Sequence, residues 1–234
     1  MFIGLFDPMY YLMVLPALLL GLYAQHKVKS AFRKYQQVPN RARMTGREAA
    51  ERILRNNGMT DVSVHVTRGT LTDHYDPRNN SLHLSEAVAH SASVAALGIA
   101  AHEIGHAMQK RDKYVPMTLR MAIVPMVRIG SWVGPLLFMV GIMLAASGLA
   151  VAGLVLFSGT LVFSLVTLPV EFNASNRAVA MLTQSGIVTN QEEEKGVRAV
   201  LSGAALTYVA AAVQSLMTIL YYVFLLTGGR RRRF

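Results

Sequence analysis

The chain has 234 residues, 53% of them hydrophobic and 15% charged, with a mean hydropathy of +0.35. That excludes a disordered chain and is too apolar for an ordinary soluble domain. Twenty-three Lys and Arg against 13 Asp and Glu give a net charge of +10, and the lack of cysteine rules out disulfides, thiolate metal ligands and a cysteine nucleophile together.

A balance this basic suits either nucleic acid or an anionic membrane surface. Aromatic residues make up 8% of the chain and form no basic-aromatic recognition pattern. The lipid bilayer is therefore the expected partner, and nucleic acid is not.

Residues 1–25 form the first segment. Pro8 to Gln25 is uncharged over 18 residues, close to the roughly 20 that cross a bilayer as a helix. No positive charge precedes it and no small-residue cleavage site stands before His26-Lys27-Val28-Lys29, so it is expected to be an uncleaved anchor.

Residues 26–115 are the one extended polar region, and they read as helix, strand, strand, helix. Thr45 and Glu48 form a capping box for a helix reaching Asn57-Gly58. Val62, Val64 and Val66 alternate with Ser63, His65 and Thr67 in a strand. The turn cluster Asp76-Pro77-Arg78-Asn79-Asn80 leads to a second strand, Ser81 to Ser85, on which an extended peptide could pair. From Ser91 the run of Ala92, Ala95, Ala96, Ile99 and Ala100 predicts a helix ending near Lys110.

Residues 116–170 are expected to form a membrane hairpin. Ile129 to Val170 carries no charge over 42 residues, enough for two spans that turn at Ala145-Ala146-Ser147-Gly148. Residues 171–198 read as a helical segment, and residues 199–234 as a final span, uncharged from Ala199 to Gly229, with a basic tail. The fold class is thus mainly α and polytopic, with four transmembrane helices around a small α+β region. His26 to Tyr114 holds 14 Lys and Arg, which points to the cytoplasm for that region. Four spans then put Arg230 to Arg233 on the opposite side, against the same rule.

On the last helix of the polar region sits His102-Glu103-Ile104-Gly105-His106. Histidines four residues apart share a helix face, so both imidazoles can bind one tetrahedral zinc ion at about 2.1 Å. The glutamate between them can act as general base toward a water activated by the metal. A polar helix face with two solvated histidines is the bland alternative, but these histidines are flanked by Ala101, Ile104, Ala107 and Met108.

No histidine follows His106, which leaves carboxylates as third ligand. Asp112 stands at a poor angle six residues on, and Glu192 to Glu194 look like the solvated first turn of a helix. Glu171 directly follows the 42 uncharged residues and is the favoured candidate. It could otherwise be a helix-start acid or a partner for Arg177. Arg177, Tyr208 and His74 are possible oxyanion donors.

HEIGH, a membrane hairpin and then Glu171-Phe-Asn-Ala-Ser-Asn-Arg-Ala resemble the YugP-type family of membrane neutral zinc metallopeptidases over nearly the whole chain. Leu71-Thr-Asp-His-Tyr-Asp-Pro77 and Ala204-Ala-Leu-Thr-Tyr-Val209 share the likeness. HtpX and the CAAX prenyl proteases are similar at greater distance. The resemblance implies a zincin-like fold of the gluzincin type, with one zinc ion on His102, His106 and Glu171, and Glu103 as catalytic base. Those distant relatives place Asp four residues after the glutamate, where this chain has Ser175. Asp73, Asp76 or a backbone carbonyl would then be left to orient a zinc-binding histidine.

The expected function is hydrolysis of peptide bonds in membrane or membrane-associated proteins, by an integral protein of the cell membrane with a polypeptide substrate. A non-catalytic zinc-containing membrane scaffold and a basic membrane-surface adaptor are the competing readings.

Overall fold

The computed structural model describes residues 7–228. Met1 to Phe6 and Arg230 to Arg233, which bear on the orientation argument, lie outside the described residues. The elements in order are α1 (Pro8–Gln36), α2 (Gly46–Asn56), β1 (Ser63–Thr67), β2 (His74–Asp76), β3 (Ser81–Ser85), α3 (Glu86–Ala89), α4 (Val94–Arg111), α5 (Val115–Met143), α6 (Ser147–Gln184) and α7 (Gln191–Gly228). Four of these, α1, α5, α6 and α7, are long and apolar enough to cross a membrane.

Each long helix outruns its uncharged stretch. The segment beginning at Glu171 is no separate helix but the continuation of α6, because nothing between Val170 and Gln184 breaks it. The turn between α5 and α6 is also tighter than expected: Ser147 and Gly148 already belong to α6, and the chain reverses through Ala145 at φ 53°.

The chain divides into two compact units. One comprises residues 1–24, 118–168 and 206–234, and its elements among the described residues are all helices. Its α5 and α6 approach closely through glycine: a β-carbon at Gly141 would fall 2.3 Å from the Ala150 nitrogen, and one at Gly153 2.4 Å from the Phe138 nitrogen. Small residues let membrane helices pack backbone to backbone, where lipid offers no hydrophobic drive for association. The outer faces carry Trp132, Leu12 and Ile129 at 82%, 71% and 65% exposure, side chains suited to lipid rather than water.

The other unit, residues 25–117 and 169–205, contains the sheet. The capping box at Thr45 and Glu48 opens α2 as expected, and Gly58 at φ 66° follows its C-cap, Asn57. The sheet order is β1-β3-β2, with β1 parallel and β2 antiparallel to β3. Ser81 to Ser85 is therefore the central strand and has no free edge. The edge available for peptide pairing belongs to β2 or β1. Leu82 and Leu84 turn inward and are fully buried, in one core with Ile53, Val88, Leu97 and Ile104. His65, His83 and His74 occupy one rung of the opposite face with stacked rings, centroids 5.3 and 4.7 Å apart.

Within this unit α4 is buried on almost every side, and two of its glycines differ sharply. A β-carbon at Gly105 would come within 2.6 Å of the Ala174 carbonyl oxygen on α6, whereas one at Gly98 would meet Val197 at an ordinary 3.4 Å. Gly98→Ala should therefore keep or raise stability, by up to about 1 kcal/mol from helix propensity. Gly105→Ala must push two backbones apart and should cost about 1–3 kcal/mol. Thermal unfolding in detergent ranks the two variants, and equal midpoints would contradict the close packing of α4 on α6.

Candidate metal centre

Ser93 starts α4 by accepting the Ala96 N–H at 3.2 Å, and the Ala- and Gly-rich turns that follow let the helix run through the middle of its unit. His102 and His106 project from one face, each 8% exposed, and Glu171 reaches them from α6 at 4% exposure. Glu171 Oε2 lies 3.2 Å from His102 Nε2 and 3.7 Å from His106 Nε2. One ligand atom from each of the three residues lies within 4.8 Å of the others. Donors about 2.1 Å from a tetrahedral ion stand about 3.4 Å apart, so this set can hold one with little adjustment.

The second nitrogen of each ring is also engaged. His102 Nδ1 meets Ser175 Oγ at 3.2 Å, and His106 Nδ1 meets Gln109 Oε1 at 3.0 Å. Ser175 thus supports the histidine itself, although it is not a carboxylate. Asp73 and Asp76 turn elsewhere: Asp73 accepts the N–H and hydroxyl of Ser85 at 2.7 and 3.1 Å, and Asp76 caps its own turn through Arg78 N–H at 2.9 Å. Gln109 was not anticipated from the sequence, although its position three residues after His106 is within reach on a helix.

Glu103, half-buried on the next position of α4, accepts the Tyr75 N–H through Oε2 at 3.0 Å. Tyr75 sits in β2, a three-residue strand that the sequence pattern did not reveal. Burial drives the Tyr75 phenol up to about 12. Burial also raises the Asp73 carboxyl, against the pull of its bonds to Ser85 and reinforced by the charge of Glu103. At His106, burial favours the neutral ring, but the carboxylates of Glu171 and Glu103 outweigh it and raise the pKa.

The other candidates lie outside this group. Asp112 pairs with Arg177 and Arg111, the Arg177 guanidinium holding its carboxyl below the usual range. Arg177 is thereby committed to Asp112 and to Asn173 Oδ1. Glu193 is buried and accepts the Arg41 N–H at 2.6 Å, while Glu194 pairs with Arg198. His74 lies on the outer sheet face, its Nδ1 bonded to the Thr72 carbonyl. Tyr208 belongs to the helical unit.

Residues 10–227 match the model of a family described as "Putative neutral zinc metallopeptidase". The chain is 48% identical over 218 residues to a Bacillus subtilis (strain 168) protein named "Putative membrane protease YugP", across 93% of this chain and 96% of that one. No solved structure matches it. Matched over nearly its whole length, and with a buried His–His–Glu group able to hold the ion for which the family is named, the chain belongs to the neutral zinc metallopeptidases.

Proposed function

We infer that the chain is a membrane-embedded, zinc-dependent endopeptidase of gluzincin type, in which His102, His106 and Glu171 hold one zinc ion and Glu103 is the general base. The observation that carries this reading is the convergence of two imidazole nitrogens and one carboxylate oxygen, with a second carboxylate beside them on α4. Three donors leave a tetrahedral ion one position for water or substrate, as a catalytic zinc requires and a closed structural zinc does not.

Bound there, zinc supplies Lewis acidity, which polarises a peptide carbonyl and makes water nucleophilic near neutral pH. Glu103 does the proton work. With Oε2 tied to the Tyr75 N–H, Oε1 is the atom that takes the proton of the attacking water and delivers it to the leaving amine nitrogen. An extended peptide can lie along the edge of β2 that β3 leaves unpaired, beside Glu103, to which the Tyr75 N–H on that edge is already given. Arg177 and Asp112 act in holding the helices rather than in binding substrate.

Membrane proteins and membrane-tethered segments are the proposed substrates. Glu171 follows directly on 42 uncharged residues, and the similar Bacillus protein is named a membrane protease. The 14 Lys and Arg of residues 26–114 support a cytoplasmic catalytic region, in the cell membrane.

Glu103→Gln should keep zinc and lose at least about 100-fold in peptide cleavage, the scale of a missing general base. His102→Ala and Glu171→Ala should lose the metal itself. Metal analysis beside a cleavage assay on purified protein decides between the readings: zinc without cleavage in the wild type would favour the scaffold, and equal zinc in all variants would sink the ligand assignment.

A further inference from the structure

Gln109 is fully buried three residues past His106, a place where a primary amide is tolerated only if its polar atoms are used. Its Nε2 donates to the Val170 carbonyl at 2.7 Å and to Asn173 Oδ1 at 3.0 Å, both on α6, while its Oε1 lies 3.0 Å from His106 Nδ1. Amide oxygen and nitrogen are easily interchanged, so the orientation has to follow from the partners. Here they decide it. The Val170 carbonyl can only accept. Asn173 Oδ1 also takes a hydrogen bond from Arg177 Nε at 2.9 Å, and a guanidinium has no acceptor to offer in return.

The nitrogen of Gln109 must therefore face α6, and its oxygen must face His106. A carbonyl oxygen accepts only, so the ring proton of His106 sits on Nδ1. In the neutral ring, Nε2, on the side of Glu171, then keeps its lone pair for a metal. His102 differs: the Ser175 hydroxyl at its Nδ1 can donate or accept, and its one accept-only neighbour, the Glu171 carboxylate, lies 3.2 Å from Nε2.

We propose that Gln109 is a positioning residue that fixes His106 in the Nδ1–H tautomer and ties its ring to the turn of α6 carrying Glu171, with the direction of the bond string set by Arg177 through Asn173. This rests on the reading of the site as a zinc centre. The string joins one ligand to the backbone carbonyl preceding another, so the two cannot drift apart independently. It also makes the two histidines unequal at their outer nitrogens: Nδ1 of His106 meets a group that only accepts, Nδ1 of His102 a hydroxyl that can do either.

Two substitutions separate orientation of the histidine from fastening of the helices. Gln109→Met keeps the volume and removes every polar contact. Gln109→Glu keeps an acceptor for His106 and gives up the donors to α6. By chelator competition in detergent, the Met variant should bind zinc about 10–100-fold more weakly than wild type, and the Glu variant within about threefold of it, although both should melt earlier. A measurement on wild type needs no variant: in the zinc-loaded protein the His106 Nδ1 proton should give a slowly exchanging, downfield imidazole resonance.

Wild-type affinity in the Met variant, a Glu variant as weak as the Met variant, or a freely exchanging Nδ1 proton would each overturn the proposal. Wild type that takes up no zinc would instead sink the reading of the site, a result distinct from any of these.

Discussion

Two imidazoles and a carboxylate can be buried together only if they face one another, and everything else in their unit serves that requirement. The geometry comes from backbone contact rather than from long side chains reaching across a gap. Gly105 stands beside His106 and faces Ala174, three residues past Glu171, so α4 and α6 touch where the three donors must meet. A larger residue on either helix would move Glu171 away from both histidines at once. Glu171 rides on α6, which continues as helix past it to Gln184.

Orientation is a separate problem from distance, and neutral groups meet it here. Where more distant families are expected to use a carboxylate to orient a histidine, this chain has the hydroxyl of Ser175, and on the other histidine the amide of Gln109. Either can hold a ring at its outer nitrogen. Neither adds charge to a buried site. The price is geometric: an amide orients a ring in one sense only if its own far end is satisfied, which is why Gln109 needs Val170 and Asn173 behind it.

Much of this was readable from residue order, because it rests on local rules. Three uncharged runs, the middle one long enough for two spans, a capping box at Thr45 and an i,i+4 histidine pair are local patterns, and each is matched by the elements it predicts. What was not readable depends on contacts distant in sequence. His74–Asp76 is too short to show alternation and becomes a strand only by pairing with β3. The central place of β3 follows from its parallel pairing with β1, which a linear reading of adjacent strands does not suggest. Gln109 looked like an ordinary helix residue because its partners lie 61 and 64 residues away. The apparent helix start at Glu171 was an artefact of charge: hydropathy changes there, but backbone propensity does not.

Charge closes the argument. Two carboxyl groups, Glu103 and Glu171, converge on two imidazoles, with His102, His106 and Glu171 all buried. Negative charge gathered in this way is met by protons or by a cation. The carboxylates around His106 raise its pKa despite burial. A proton and a metal would compete for the same Nε2 lone pair. Under the proposed reading, a divalent ion at the same point would balance both carboxylates, with His102 and His106 as neutral ligands. In that reading the same two carboxylates would both favour a dication, Glu171 as a ligand and Glu103 beside it on α4.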